Sequence, residues 1–239
     1  KTHTLHGGSD GSAVRNWKIV QYNKSMVTFL DKLPDGHMGF PGNLTVETTY
    51  KVAQSTIDIV IEASTDKTTL CNFTNHSYFN LDGTKNIANH QLMVECDKVL
   101  PVDENGIPIS GPIFAKDLDL DFKTGRTLNN NGNPIEVDHN FCISNTRQNL
   151  RRNAFVTAKN ISLELFSTEP GLQVYTGKGL NSGNEKIWGK YPYREFAGIA
   201  LEPQIWPDAP NQIDFPNPLL QPGDKYKHHT RLKFSRTKI

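Results

Sequence analysis

Hydrophobic side chains in this chain recur at every second residue and scarcely anywhere at every third or fourth. Ile57, Ile59, Ile61 and Ala63 alternate with Asp58, Val60 and Glu62. Leu44, Val46, Thr48, Tyr50 and Val52 alternate with Thr45, Glu47, Thr49 and Lys51. The pattern returns at Leu92, Val94 and Cys96 and at Ile161, Leu163 and Leu165. It closes the chain, where Tyr226, His228, Thr230, Leu232 and Phe234 alternate with Lys225, Lys227, His229, Arg231 and Lys233. Successive side chains of a strand point to opposite faces, so each run suits a half-buried antiparallel strand. Turn signals separate the runs: Pro34-Asp35-Gly36, Asp82-Gly83, Glu104-Asn105-Gly106, Asn129 to Asn133 and Gln221-Pro222-Gly223. No segment carries a convincing amphipathic helical stripe. The expected fold is all-β, a large antiparallel β-sandwich with few or no helices. No repeat, low-complexity tract or linker divides it, so one domain is expected over residues 1–239.

A chain of 239 residues can bury a substantial core. Its 26 Lys and Arg against 25 Asp and Glu exclude the basic excess of a dedicated nucleic-acid binder and the acidity of a disordered tail. Mean hydropathy is −0.53, and no apolar run is long enough for a membrane helix. Neither nucleic acid nor membrane is an expected partner. The first residues carry no signal-peptide core. Cys71, Cys96 and Cys142 are odd in number and form no CxxC pair, which excludes a zinc ribbon and argues against a disulfide scaffold. A reducing, cytoplasmic location is expected. Sequons at Asn23, Asn43, Asn72 and Asn160 carry little weight in an Asn-rich chain.

Several features that suggest ligands have plainer readings. The C-terminal Lys and Arg residues fall mostly on one face of a single alternating strand, which reads as a solvated face that deters edge pairing. Asp117, Asp119 and Asp121 lack calcium-loop spacing and read as the outer face of a short extended segment. Gly177-x-Gly179-x-x-x-Gly183 misses the dinucleotide fingerprint by one residue. His228 and His229 point to opposite faces of a strand and cannot share a metal. No cofactor and no metal are expected.

Four Gly- and Asn-rich places remain. They are Leu5-His6-Gly7-Gly8, Asn75-His76-Ser77-Tyr78-Phe79-Asn80-Leu81, Val137-Asp138-His139-Asn140-Phe141 and Leu201-Glu202-Pro203-Gln204-x-Trp206-Pro207-Asp208-Ala209-Pro210-Asn211. A sheet-based carbohydrate site needs such parts: polar groups for hydroxyls, aromatic faces for the C–H side of a sugar, and glycines for close backbone approach. Taken alone, His6 reads as a loop histidine, His76 equally as a buried turn histidine, and Asp138 as a turn former. Gln173 reads as ordinary strand polarity, and Trp206 as cleft wall or core. Glu202 differs, because it follows Ile199-Ala200-Leu201, where an unpaired carboxylate is costly.

Together these segments resemble the aldose 1-epimerase (galactose mutarotase) family. The likeness runs through LHGG, Gly39-Phe40-Pro41-Gly42-Asn43-Leu44, NHSYFNL, Leu100-Pro101-Val102-Asp103-Glu104, DHNF, Glu169-Pro170-Gly171-Leu172-Gln173-Val174-Tyr175-Thr176-Gly177 and LEPQ-x-WPDAPN, in the family's order. The resemblance implies a galactose mutarotase-like β-sandwich with a sugar cleft on its sheet. It implies interconversion of the α and β anomers of a free hexose, with Glu202 as general base and His76 as general acid. It assigns His6, Asp138 and Gln173 to sugar contacts, with a small-molecule aldose as partner. A monomer is expected. The chemistry is sound on its own terms. Ring opening removes one proton and adds another at two oxygens on the same carbon, and a carboxylate beside a histidine keeps the ring protonated near neutral pH.

The chain departs from the family pattern in two places. The family usually carries further strands before LHGG, with an Asn-Arg pair whose arginine contacts the sugar, so a form shortened at its N-terminus is expected here. Gly11-Ser12-Ala13-Val14-Arg15-Asn16-Trp17 replaces a stretch that commonly holds an aromatic and charges. Two other functions follow from these facts. A hexose-6-phosphate 1-epimerase needs an arginine cluster, for which Arg147, Arg151 and Arg152 are available in a polar, solvent-facing stretch. A non-catalytic sugar-binding module needs the cleft without its full set of contacts.

Overall fold

The alternating runs are strands in the computed structural model, which describes residues 3–185 and 191–236. Strands β1 (Lys18–Asn23), β2 (Met26–Leu33), β3 (Leu44–Ala53), β4 (Thr56–Thr65) and β5 (Thr69–Leu70) come first. Short strands follow: β6 (Tyr78–Phe79), β7 (Gln91–Val94), β8 (Lys98–Val99), β9 (Ile113–Phe114), β10 (Arg126–Thr127), β11 (Asn129–Asn130) and β12 (Asn133–Pro134). Next are β13 (Asp138–Cys142), β14 (Arg151–Ala158), β15 (Ile161–Ser167), β16 (Gly171–Tyr175), β17 (Ile199–Gln204), β18 (Leu219–Leu220) and β19 (Tyr226–Arg236). Helical structure among the described residues is limited to 3-10 turns at His37–Gly39, Ala115–Leu118 and Ala209–Asn211.

The chain forms two compact units. The first comprises the residues up to Phe73 and Pro218–Arg231. Here β1, β2, β3 and β4 pair antiparallel in succession, and β19 follows β4 in the sheet. In β4, Ile59, Ile61 and Ala63 are buried while Glu62 and Ser64 are exposed, as the alternation requires. Burying each large aliphatic side chain of this kind contributes about 1.5–3 kcal/mol. On β19, Tyr226, His228 and Thr230 are buried. The basic residues between them are ion-paired. Lys227 lies 3.6 Å from Glu62, and Arg231 and His229 both donate to Asp58, at 2.8 and 2.6 Å. The alternating strand face is therefore laced to acidic neighbours and offers no phosphate patch.

The second unit comprises Thr74–Asn217 and the residues from Leu232. One of its sheets runs through β15, β14, β7 and β10, and the other has the order β6-β17-β16-β13-β8-β9. Fully buried Phe122 and Phe141 meet edge to face with centroids 6.1 Å apart. Asp117, Asp119 and Asp121 are not an extended face. The chain makes a 3-10 turn over Ala115–Leu118, and Asp119 adopts a left-handed φ of 56°. That reversal lets its N–H bond the Ala115 and Lys116 carbonyls, and its carboxylate takes both prongs of Arg126 at 3.0 Å.

Arg147 is exposed as expected, while Arg151 and Arg152 are half-buried, and all three are engaged by protein groups. Arg151 and Arg152 lie on β14. Arg151 donates to Ser144, and Arg152 to Glu95 and Glu164. Arg147 reaches Glu169, whose side chain is fully buried, through two bonds of 2.7 and 3.1 Å. A buried carboxylate loses its hydration and needs this fork. Glu169 of the EPGLQ segment is thereby a structural ion. Arg147→Ala is expected to lower the unfolding free energy by about 3 kcal/mol, because it strands that charge. Glu169→Gln is expected to cost less, and urea denaturation of both variants checks the order.

Candidate active site

The antiparallel registers of the second sheet place the polar residues of three motifs on one face. Strand β16 pairs with β17 so that Gln173 stands opposite Glu202 and Tyr175 opposite Ala200. Strand β13 pairs with β16 so that Asn140 stands opposite Gln173 and Asp138 opposite Tyr175. Strand β6 pairs Tyr78 with Ala200. Residues directly opposite share a face. Two rows result, one of Glu202, Gln173 and Asn140 and one of Tyr78, Ala200, Tyr175 and Asp138. Continuing the β6–β17 register two residues outward places His76 opposite Glu202. The structure bears this out, with His76 Nε2 3.5 Å from Glu202 Oε1. The reverse face carries Leu201, Val174, Leu172 and Phe141, all buried, which anchors the rows to the core.

Glu202 is only 6% exposed. Burial, reinforced by the charge of Asp138, pushes its carboxyl from the ordinary range up to about 8. Asp138 is exposed, and its Oδ1 accepts a 2.7 Å bond from the Gln173 amide. Tyr78 stacks on His76 with centroids 5.0 Å apart, and Tyr175 meets the same ring edge-on at 6.5 Å. Burial, with Tyr175, Glu202 and Asp138 nearby, pushes Tyr78 up to about 12, so its phenol stays neutral. Asn140 is buried at the end of the Glu202 row. Among the described residues, no group of three or more His, Cys, Asp or Glu is arranged to hold a metal.

Four expected site residues, His76, Glu202, Asp138 and Gln173, thus lie within one unit and on one sheet face or its continuation. His6 belongs to the first unit, on a turn closed by the Gly8 N–H to the Leu5 carbonyl, with a left-handed φ of 54°. Trp206 is core: it is buried with Leu100 and Cys142 and donates to the Pro170 carbonyl. Tyr78 and Tyr175 were not singled out from the sequence. The signal was present in the period of two, since they sit two residues from His76 and from Gln173.

The raised carboxyl has a measurable consequence. Between the ordinary carboxylate pKa and about 8, folded Glu202 keeps a proton that the unfolded chain has released. Folding stability contributed by this group therefore falls as pH rises through that window. Glu202→Gln is expected to gain on the order of 2 kcal/mol over the parent at pH 8 and nothing at pH 4, as read by thermal unfolding at the two pH values.

A sequence model of the family described as aldose 1-epimerase matches residues 1–233. The aldose 1-epimerase of Escherichia coli (strain K12) is 35% identical over 243 residues, covering 96% of this chain and 70% of the relative. The galactose mutarotase of Homo sapiens is 37% identical over 245 residues, covering 98% and 69%. The crystal structure of a GalM/aldose epimerase homologue from C. elegans aligns with a TM-score of 0.90 at 28% identity, over 99% of this chain and 73% of that one. The all-β, antiparallel fold expected from the alternation is the fold of that homologue, and the chain belongs to the aldose 1-epimerase family of isomerases.

Proposed function

We propose that this chain interconverts the α and β anomers of free hexoses such as galactose and glucose, with Glu202 as general base and His76 as general acid. The observation that carries this reading is the 3.5 Å approach of His76 Nε2 to Glu202 Oε1 on a polar sheet face. The two reacting oxygens, the C1 hydroxyl and the ring oxygen, share one carbon. A base and an acid this close can address both at once. Glu202 takes the hydroxyl proton and His76 protonates the ring oxygen, so the ring opens to the aldehyde. C1 turns about the C1–C2 bond, and closure runs the same transfers in reverse.

The reactive form is the ion pair of carboxylate and imidazolium. It holds the same number of protons as the neutral pair of acid and imidazole, so the site exchanges one for the other without drawing on bulk water. Each positioned proton-transfer group is typically worth about 10²–10⁴ in rate. The Gln173–Asp138 bond supports their proposed role as hydroxyl readers, since it presents a fixed donor and acceptor edge beside the pair. Stacked Tyr78 and edge-on Tyr175 supply an apolar wall for the sugar's C–H face. His6 is proposed as a further sugar contact on the strength of its LHGG segment alone. The engagement of Arg147, Arg151 and Arg152 with protein groups disfavours a phosphorylated substrate.

One family domain over residues 1–239 is proposed, because the family match runs through both units. A monomer is proposed, because the pair and its neighbours come from a single chain. Buried Cys96 and Cys142, which form no disulfide, support a reducing, cytoplasmic location. No helix among the described residues is long and apolar enough to cross a membrane.

Polarimetry of freshly dissolved α-D-galactose and α-D-glucose tests the assignment. The chain is expected to accelerate the decay of rotation over buffer, and Glu202→Gln to lose about 10²–10⁴ of that acceleration. An unchanged rate in the variant removes Glu202 from the mechanism. The pH profile of kcat/KM is expected to be bell-shaped, because one proton must reside on the pair. Asp138→Asn removes a negative charge that favours protonation of Glu202, so its profile is expected to move toward lower pH. A profile that keeps its place would show that Asp138 does not act on the pair electrostatically.

A further inference from the structure

The approach of His76 to Glu202 depends on a strand of two residues. β6 meets β17 through Tyr78 and Phe79 alone, at Ala200 and Ile199. A slip of one residue would turn His76 to the opposite face. Two residue pairs are a weak specification, so something else must hold the register.

A closed circuit of hydrogen bonds does so. Leu81, at the end of the NHSYFNL segment, donates its N–H to His90 Nε2 at 2.8 Å. His90 sits on a tight turn in which its own N–H bonds the Ile87 carbonyl. Ile87 in turn donates to the Phe196 carbonyl at 2.9 Å, just before β17. The Asn80 amide bridges the Ala197 and Thr84 carbonyls, each at 2.9 Å, and its Oδ1 accepts from Gly83 N–H. The segment bearing His76 is thus tied to the entry of β17 from both Asn80 and Leu81. We propose that His90 and Asn80 are positioning residues that clamp the register of β6 on β17, with His90 held as a neutral ring protonated at Nδ1. The assignment of the proton follows from the bond, since a nitrogen that accepts an amide N–H must offer a lone pair. His90 is completely buried, and burial lowers its pKa against weaker opposing effects of Asp82 and the Ile87 carbonyl. Histidine is suited to the task because its ring reaches a distant amide and, once dehydrated, resists protonation. The clamp rests on the proposed His76/Glu202 pair, and its test separates the two.

The first arm is nitrogen-15 NMR of the His90 ring in the unaltered chain at pH 7. The clamp requires the neutral Nδ1–H tautomer with Nε2 as acceptor, and an Nε2–H tautomer or an imidazolium overturns it. The second arm is polarimetric kinetics with folding checked by circular dichroism. His90→Leu removes the acceptor and is expected to lower kcat about 100-fold, the scale of an ångström-sized misplacement, with little change in KM. His90→Gln returns an acceptor oxygen and is expected to recover most of that loss. Asn80→Ala is expected to lower kcat as well, and the double variant to lose less than the product of the two, because both act on one register. A folded His90→Leu with parental kcat, or a folded His90→Gln as impaired as the leucine variant, overturns the proposal. If His90→Leu does not fold, the tautomer and the glutamine variant decide. Glu202→Gln in the same assay isolates the pair: activity there refutes the site, whereas its loss alongside a fully active His90→Leu refutes only the clamp.

Discussion

Three antiparallel registers, β6 on β17, β17 on β16 and β16 on β13, determine what each polar residue of the site faces. Their common consequence is two rows of side chains that cross strands drawn from distant parts of the chain. His76, Glu202, Gln173 and Asn140 share one row, and Tyr78, Tyr175 and Asp138 the next. The opposite face of β16 and β17 is apolar and buried, and this holds the rows in place, because slipping β17 by one residue would put the Glu202 carboxylate where Leu201 packs in the core. The same hydrophobic pattern that stabilises the sheet therefore enforces the geometry of the proposed site.

Within that frame the central tension is electrostatic. Glu202 is buried enough to be costly as an anion, and Asp138 adds to the cost. The ring of His76 lies 3.5 Å away, at hand for the proposed exchange of a proton. A carboxyl raised into the neutral range is a stronger base than one in water, which suits the general-base role proposed for it. In the proposed mechanism the stability given up at this one residue is exchanged for reactivity. Glu169 shows the contrasting solution: a fully buried carboxylate satisfied by a two-pronged arginine has no reactive freedom and serves structure alone.

Much of this was legible in the alternation. Strands β3, β4, β15 and β19 fall where the period of two placed them, because a sheet with one buried face leaves that signature directly in the residue order. The unusual position of Glu202 was legible too, since a charge at the end of an apolar run must have a reason, and the residue is buried with a raised carboxyl. Other features were not. Asp119 follows the alternating pattern yet sits in a left-handed turn, where it caps the 3-10 turn with its N–H on the Ala115 and Lys116 carbonyls. Arg147 looked like a loop cation, and only the buried position of Glu169 explains it. Trp206 was ambiguous between cleft and core, and its neighbours Leu100 and Cys142 decide for the core.

The residues themselves determined an all-β chain, the alternation of each strand and the set of chemistry-bearing side chains, because those properties are local and survive in the sequence without any partner. They could not determine which strands lie side by side. Pairing between segments such as Tyr78–Phe79 and Ile199–Gln204 depends on contacts far apart in the chain, and two residues of strand carry almost no local signal. The approach of His76 to Glu202, the aromatic wall of Tyr78 and Tyr175, and the buried ring of His90 behind them come from the tertiary structure, since only the packed sheets set their distances.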